Sequence, residues 1–113
     1  MAQVTVTING KHKIVVEVPG PFRSIYDIKL ANRQHGHHWF EPSTIRFFKS
    51  RVGDTTYGGR FFVSSEQFDY KSPRLYSVRV ALDDGSVETV GDFQEYASRS
   101  GAVSRIKSIL ATH

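Results

Sequence analysis

The stretch RFFVSSEQFDYKSPRLYSVRVALDDGSVETVGDF, residues 60–93, decides the fold. Its runs RFFVSSEQF, RLYSVRVAL and SVETVGDF are rich in β-branched and aromatic residues, and Asp83-Asp84-Gly85 separates the last two. That is the pattern of an antiparallel meander. In the middle run Tyr76, Val78, Val80 and Leu82 share one face while Ser77 and Arg79 take the other, because successive strand side chains alternate. Such alternation predicts a sheet packed on one side and wet on the other.

N-terminal to the meander, VTVTINGKHKIVVEV (residues 4–18) places two β-branched runs around Asn9-Gly10, a hairpin signal. A two-residue loop would mix Lys11 and Lys13 with Val4 and Val6 on one face. A three-residue loop of Ile8, Asn9 and Gly10, with Gly10 left-handed, sets Val4 and Val6 across from Ile14 and His12. That register gathers Val4, Val6, Ile14 and Val16 on one face. Pro19-Gly20-Pro21 ends the hairpin.

Ser24 followed by Asp27 resembles a capping box, Ile25, Ile28 and Ala31 supply an apolar stripe, and Gly36 is a natural stop. A helix is predicted over Ile25 to Gln34. Ser98 caps a second helix with Val103, Ile106 and Leu110 on its apolar stripe. Between them, Ser43 or Thr44 could cap a short helix through Phe48, in a segment punctuated by Pro42, Gly53, Gly58 and Gly59. The predicted architecture is α+β, one compact domain over residues 1–113. An antiparallel sheet, the hairpin plus the three-stranded meander, is covered on one face by two main helices.

With 113 residues there is no room for a second core, and eight Phe, five Tyr and one Trp suffice to build one. No cysteine occurs, which excludes disulfides, thiolate nucleophiles and cysteine zinc sites and fits a reducing compartment. No leader pattern and no apolar run of membrane-spanning length is present, so a soluble, unexported protein is expected. The formal charge of +4 keeps nucleic acid open as a partner. The cations concentrate between Thr44 and Arg79, with a second cluster of Arg99, Arg105 and Lys107.

The segments His38-Trp39-Phe40, Thr44-Ile45-Arg46-Phe47-Phe48-Lys49-Ser50-Arg51-Val52, Tyr57-Gly58-Gly59-Arg60-Phe61-Phe62-Val63-Ser64-Ser65-Glu66-Gln67-Phe68 and Arg74-Leu75-Tyr76-Ser77-Val78-Arg79 carry a family resemblance. From Ile25 to Ile109 the chain resembles a family of small proteins frequent in bacteriophage and plasmid genomes and known only as a domain of unknown function. The resemblance implies a mobile-element accessory protein acting in the cytoplasm of a bacterial host, for which a role against host defence is one expectation. It supplies no activity, cofactor or catalytic residue.

Aromatic and basic residues interleave through the centre of the chain, as they do on sheets that stack bases and neutralise phosphates. The competing reading is that the rings fill the core and the cations rim it. In a strand, Phe61 and Phe62 point to opposite faces, so one of them lies under a second layer or on an exposed, bindable surface. The binding residues predicted on this basis are Trp39, Arg46, Lys49, Arg51, Tyr57, Arg60 and Phe62. Arg46, Lys49, Arg51 and Arg60 are expected to form a common exposed basic surface.

His35, His37, His38 and Glu41 are suitable metal ligands by type but match no known framework, and no metal or other cofactor is expected. Catalysis by a metal-independent ribonuclease would draw on His38, Lys49, Arg51 and Tyr57, whose geometry nothing in the spacing fixes. The leading expectation is a non-enzymatic protein that binds nucleic acid or a host nucleoprotein. The alternatives are a protein-only inhibitor docking an aromatic patch on a host enzyme, and the small ribonuclease.

Overall fold

The computed structural model describes residues 2–37 and 50–111. Strands β1 (Ala2–Ile8) and β2 (His12–Val18) lead into helix α1 (Ile25–Gln34); β3 (Arg51–Val52), β4 (Phe61–Glu66), β5 (Leu75–Ala81) and β6 (Val87–Val90) follow, and helix α2 (Arg99–Ala111) comes last. The strands form a six-stranded sheet in the order β2-β1-β6-β5-β4-β3, every neighbouring pair antiparallel. The α+β class is as expected. The short helix expected through Phe48 lies outside the described residues.

The hairpin loop has three residues and Gly10 is left-handed (φ 65°), but the loop is Asn9, Gly10 and Lys11. Val6 therefore faces Ile14 and Val4 faces Val16, two residues from the expected register. A shift of two preserves parity, so Val4, Val6, Ile14 and Val16 still share a face. The reason is Ile8. Asn9 takes the left-handed conformation as well (φ 53°), which moves the turn along the chain and frees Ile8 to be fully buried opposite Val90.

Helix α1 begins and ends where its signals place it. The Ser24 hydroxyl accepts from Asp27 N, and the Asp27 carboxylate accepts from Arg23 N at 3.0 Å. At the other end His37 N donates to Asn32 O and Gly36 N to Arg33 O, with Gly36 at φ 78°; this is the Schellman pattern that only a left-handed residue completes. In α2, Ser98 Oγ accepts from Gly101 N at 3.1 Å, again capping as expected.

The two helices lie on opposite faces of the sheet, which corrects the one-face arrangement. Ala102, Ile106 and Ile109 of α2 pack with Val4, Val6, Ile8, Phe61, Val63, Val78, Val80 and Val90 in the larger core. Phe22, just ahead of α1, and Ile25 and Ile28 in its first turn pack with Phe62 and Ala81 in a smaller one. Each buried Ile or Phe contributes about 1.5–3 kcal/mol, so both faces hold substantial apolar stabilisation.

The second face is also not wet. Ser64, Glu66, Ser77, Arg79 and Thr89 are all buried on it. Arg79 donates from Nε to Ser64 Oγ (2.8 Å), from Nη1 to Thr89 Oγ1 and from Nη2 to Glu66 Oε2 (3.5 Å). Ser77 Oγ donates to Glu66 Oε1 at 3.0 Å and accepts from Gln94 N at 2.7 Å. The Phe93 ring lies 5.4 Å from the Arg79 guanidinium. Burial pulls that guanidinium below its ordinary pKa, and Glu66 opposes the shift by charge and hydrogen bonding. The alternation in β5 thus separates two packed faces, one apolar and one carrying a hydrogen-bonded polar layer.

Candidate functional site

Trp39, Arg46 and Lys49 lie outside the described residues, as do His38 and Glu41. Arg60 and Phe62 are not on an exposed surface. Arg60 is 5 % exposed: its Nε donates to Glu17 O (2.5 Å), Nη1 to Ala81 O (3.1 Å) and Nη2 to Asp83 Oδ1 (2.6 Å). It ties the end of β2 to the end of β5 and is a structural cation. Phe62 is fully buried because α1 and its lead-in supply the second layer over that side of β4. Tyr57 is half-buried, packs against the larger core and exchanges backbone hydrogen bonds with Phe61. Arg51, on β3, is exposed.

Arg51 nevertheless belongs to a cluster. The ladder sets Arg51 opposite Ser65, Ser65 opposite Tyr76, and Tyr76 opposite Tyr96, a row running across the sheet. Arg74 reaches over this row and donates from Nη1 to Ser65 Oγ at 2.9 Å. From the first residue of α2, Arg99 places its guanidinium 5.8 Å from the centre of the Tyr76 ring, a cation–π contact.

The β4–β5 loop extends the cluster. Its turn is built by Asp69, whose Oδ1 accepts from Lys71 N and Ser72 N, each at 2.9 Å, and from Ser72 Oγ at 3.1 Å; Asp in this role replaces a backbone turn. Gln67 Nε2 donates to Ser72 O at 3.0 Å and holds the loop's base. The loop presents Phe68 (59 % exposed) and Tyr70 (78 %), with Lys71 Nζ 5.7 Å from the Tyr70 ring centre. The loop's exposed rings and Lys71, with Arg51, Arg74 and Arg99 around Ser65 and Tyr76 at the strand ends that the loop joins, can offer π-faces and phosphate contacts.

Phe68, Tyr70, Tyr76 and Arg74 lie in the central stretch of interleaved aromatics and cations but are not among the binding residues predicted from it. Arg99 was assigned to a separate C-terminal cluster. The missed signal was the Phe-x-Tyr pair flanking Asp69 in a turn, where a large ring has no sheet to pack on.

The histidines have local duties. His35 Nδ1 lies 3.0 Å from Ala31 O at the end of α1, and His37 Nε2 lies 3.0 Å from Asp84 Oδ2 in the β5–β6 turn. Among the described residues no group of three or more His, Cys, Asp or Glu side chains is placed to hold a metal ion. Among them, too, no helix is long and apolar enough to cross a membrane.

No curated protein and no solved structure matches the chain significantly. A family model does, over residues 24–107, and its description is a family of unknown function, DUF7447. That match spans α1 through most of α2 and takes in the whole cluster around Tyr76, so the chain belongs to the DUF7447 family.

Proposed function

We propose that this protein is a non-enzymatic, mobile-element accessory protein that binds single-stranded nucleic acid in the cytoplasm of a bacterial host. The observation that carries the reading is the exposed pair Phe68 and Tyr70, with Lys71, on the loop that joins β4 to β5, at the strand ends where Arg51, Arg74 and Arg99 gather around Ser65 and Tyr76. Unpaired bases stack on such rings, and guanidinium and ammonium groups track the phosphates between them. Asp69 is the acid within the loop, and its carboxylate is taken up in holding the turn. The formal charge of +4 adds a long-range attraction to any polyanion.

The test is fluorescence anisotropy with labelled single-stranded homopolymers of DNA and RNA over a salt series. Tyr70→Ala should weaken binding by about 1–3 kcal/mol, the worth of one stacked base. Arg99→Ala should weaken it across all sequences and reduce the slope of log affinity against log salt by about 0.7. Both substitutions are at exposed positions and should leave unfolding cooperative. Absence of binding at low salt, or affinity indifferent to both substitutions, sinks the proposal.

A further inference from the structure

Strand β1 meets β6 at one residue pair, Ile8 with Val90. Asn9 N donates to Thr89 O at 2.9 Å and Gly91 N to Thr7 O at 2.8 Å on that side. The chain then swings away through Gly91 and Gln94, both at positive φ, and returns to β5 at the Tyr76–Tyr96 bridge. Backbone groups of alternate strand residues face the same side. Since those of Thr7 face β6, those of Thr5 and Gln3 face it too, and among the described residues no strand pairs with them there.

The opening is a cleft of about 400 Å³ between β1, the segment after β6, and α2. Val6, Val90 and Ile109 form an apolar floor from the larger core. Glu95 lines the cleft too, its Oε1 accepting from Asp92 N at 2.9 Å and its carboxylate acting on the Tyr96 phenol. Arg105 also lines it and makes no hydrogen bond or ion pair with a described residue. Burial, then Glu95, push the Tyr96 phenol above its ordinary pKa while Arg105 opposes them.

We propose that this cleft binds an extended acidic peptide as an added strand, its main chain pairing with Gln3 and Thr5 and a carboxylate meeting Arg105. Strand addition takes affinity from main-chain hydrogen bonds and selectivity from pockets for alternate side chains. Here the apolar floor accepts one side chain and the unmatched guanidinium selects an acidic one. In a second copy of this chain β1, AQVTVTI, carries no acidic residue to answer Arg105, while the edge strand β2, HKIVVEV, carries one, Glu17, so self-association is read separately in the test.

The experiment titrates the full chain with short synthetic peptides of alternating Val and Thr in which one Glu is scanned through every position. Binding is read by amide NMR and hydrogen exchange. Peptides in one register should bind and protect the Gln3 and Thr5 amides, and Arg105→Gln should cost about tenfold in affinity. Changing the peptide Glu to Gln should cost as much in the wild type and little more in Arg105→Gln. N-methylating alternate peptide residues should abolish binding. Thr5→Pro removes an N–H that faces the cleft rather than β2, so it should fold and fail to bind; if it unfolds, the N-methylated peptides decide the same point. The proposal is overturned if no peptide protects these amides, if Arg105→Gln binds as the wild type does, or if the amides are protected by self-association of the chain alone.

Discussion

Arg60 illustrates how little a residue's type says about its job. Its guanidinium bonds to two main-chain carbonyls and the Asp83 carboxylate, and the side chain is 6 % exposed against 81 % for Asp83. Removing it strands the Glu17 and Ala81 carbonyls, so Arg60→Ala should destabilise by about 2–4 kcal/mol. Arg60→Lys should recover only part of that, because one ammonium cannot reproduce a three-way fork. Urea denaturation checks both; a loss below about 0.5 kcal/mol, the level of ordinary surface substitutions, contradicts this reading. Charge bias along the chain was legible and led to Arg60 as a surface cation. The folding of the turn at residues 58 and 59 onto Gly20, through Gly20 N to Gly58 O (2.8 Å), was not, because it joins residues far apart in sequence. Phe62 shows the same limit: that Phe61 and Phe62 part to opposite faces followed from strand geometry, whereas what covers the second face did not.

Elements whose signals are local came through. The bounds of α1, its Ser24 cap and its Gly36 stop, and the Ser98 cap of α2, need no information beyond a few neighbouring residues. Hairpin parity also survived, since the apolar pattern dictates it; the offset did not, since it depends on whether Ile8 finds a pocket beside β6. The β5–β6 turn adds a pH dependence of its own. Asp84 accepts from the Ser86 hydroxyl (2.6 Å) and Ser86 N (3.0 Å) and faces His37. Those Ser86 contacts first, then His37, bring its carboxyl from 3.8 down to about 2. A carboxyl lowered on folding stabilises the fold above its unfolded pKa, and that contribution is lost as pH falls through the folded value. Wild type should therefore exceed Asp84→Asn in stability at pH above about 4, with the gap closing as pH drops towards about 2. The Asp84 side chain is 47 % exposed, so solvent screening keeps the gap small. Urea midpoints that stay equally far apart at both ends of this window would refute the assignment.

At the scale of the whole molecule, the sheet is a partition between unlike interiors. One side is continuous aliphatic and aromatic packing against α2; the other joins the small core under α1 to the Glu66–Arg79 layer. A buried ion pair adds little net stability, because desolvating both ions roughly cancels their attraction; removing one partner is what costs. Glu66 is fully buried and Arg79 is 7 % exposed, with Ser64, Ser77 and Thr89 supplying the remaining hydrogen bonds. Arg79→Met should therefore destabilise by about 3–5 kcal/mol, leaving the Glu66 carboxylate buried without its cation. Adding Glu66→Gln removes that stranded charge, so the double variant should be more stable than Arg79→Met alone, a coupling visible in a double-mutant cycle. The pair lies on the face opposite the row of Arg51, Ser65 and Tyr76, one strand thickness away. Nucleic-acid affinity should follow the folded fraction and nothing else in these variants. If affinity falls in a variant that remains fully folded, the polar layer contributes to the binding surface, and the site extends through the sheet to its second face.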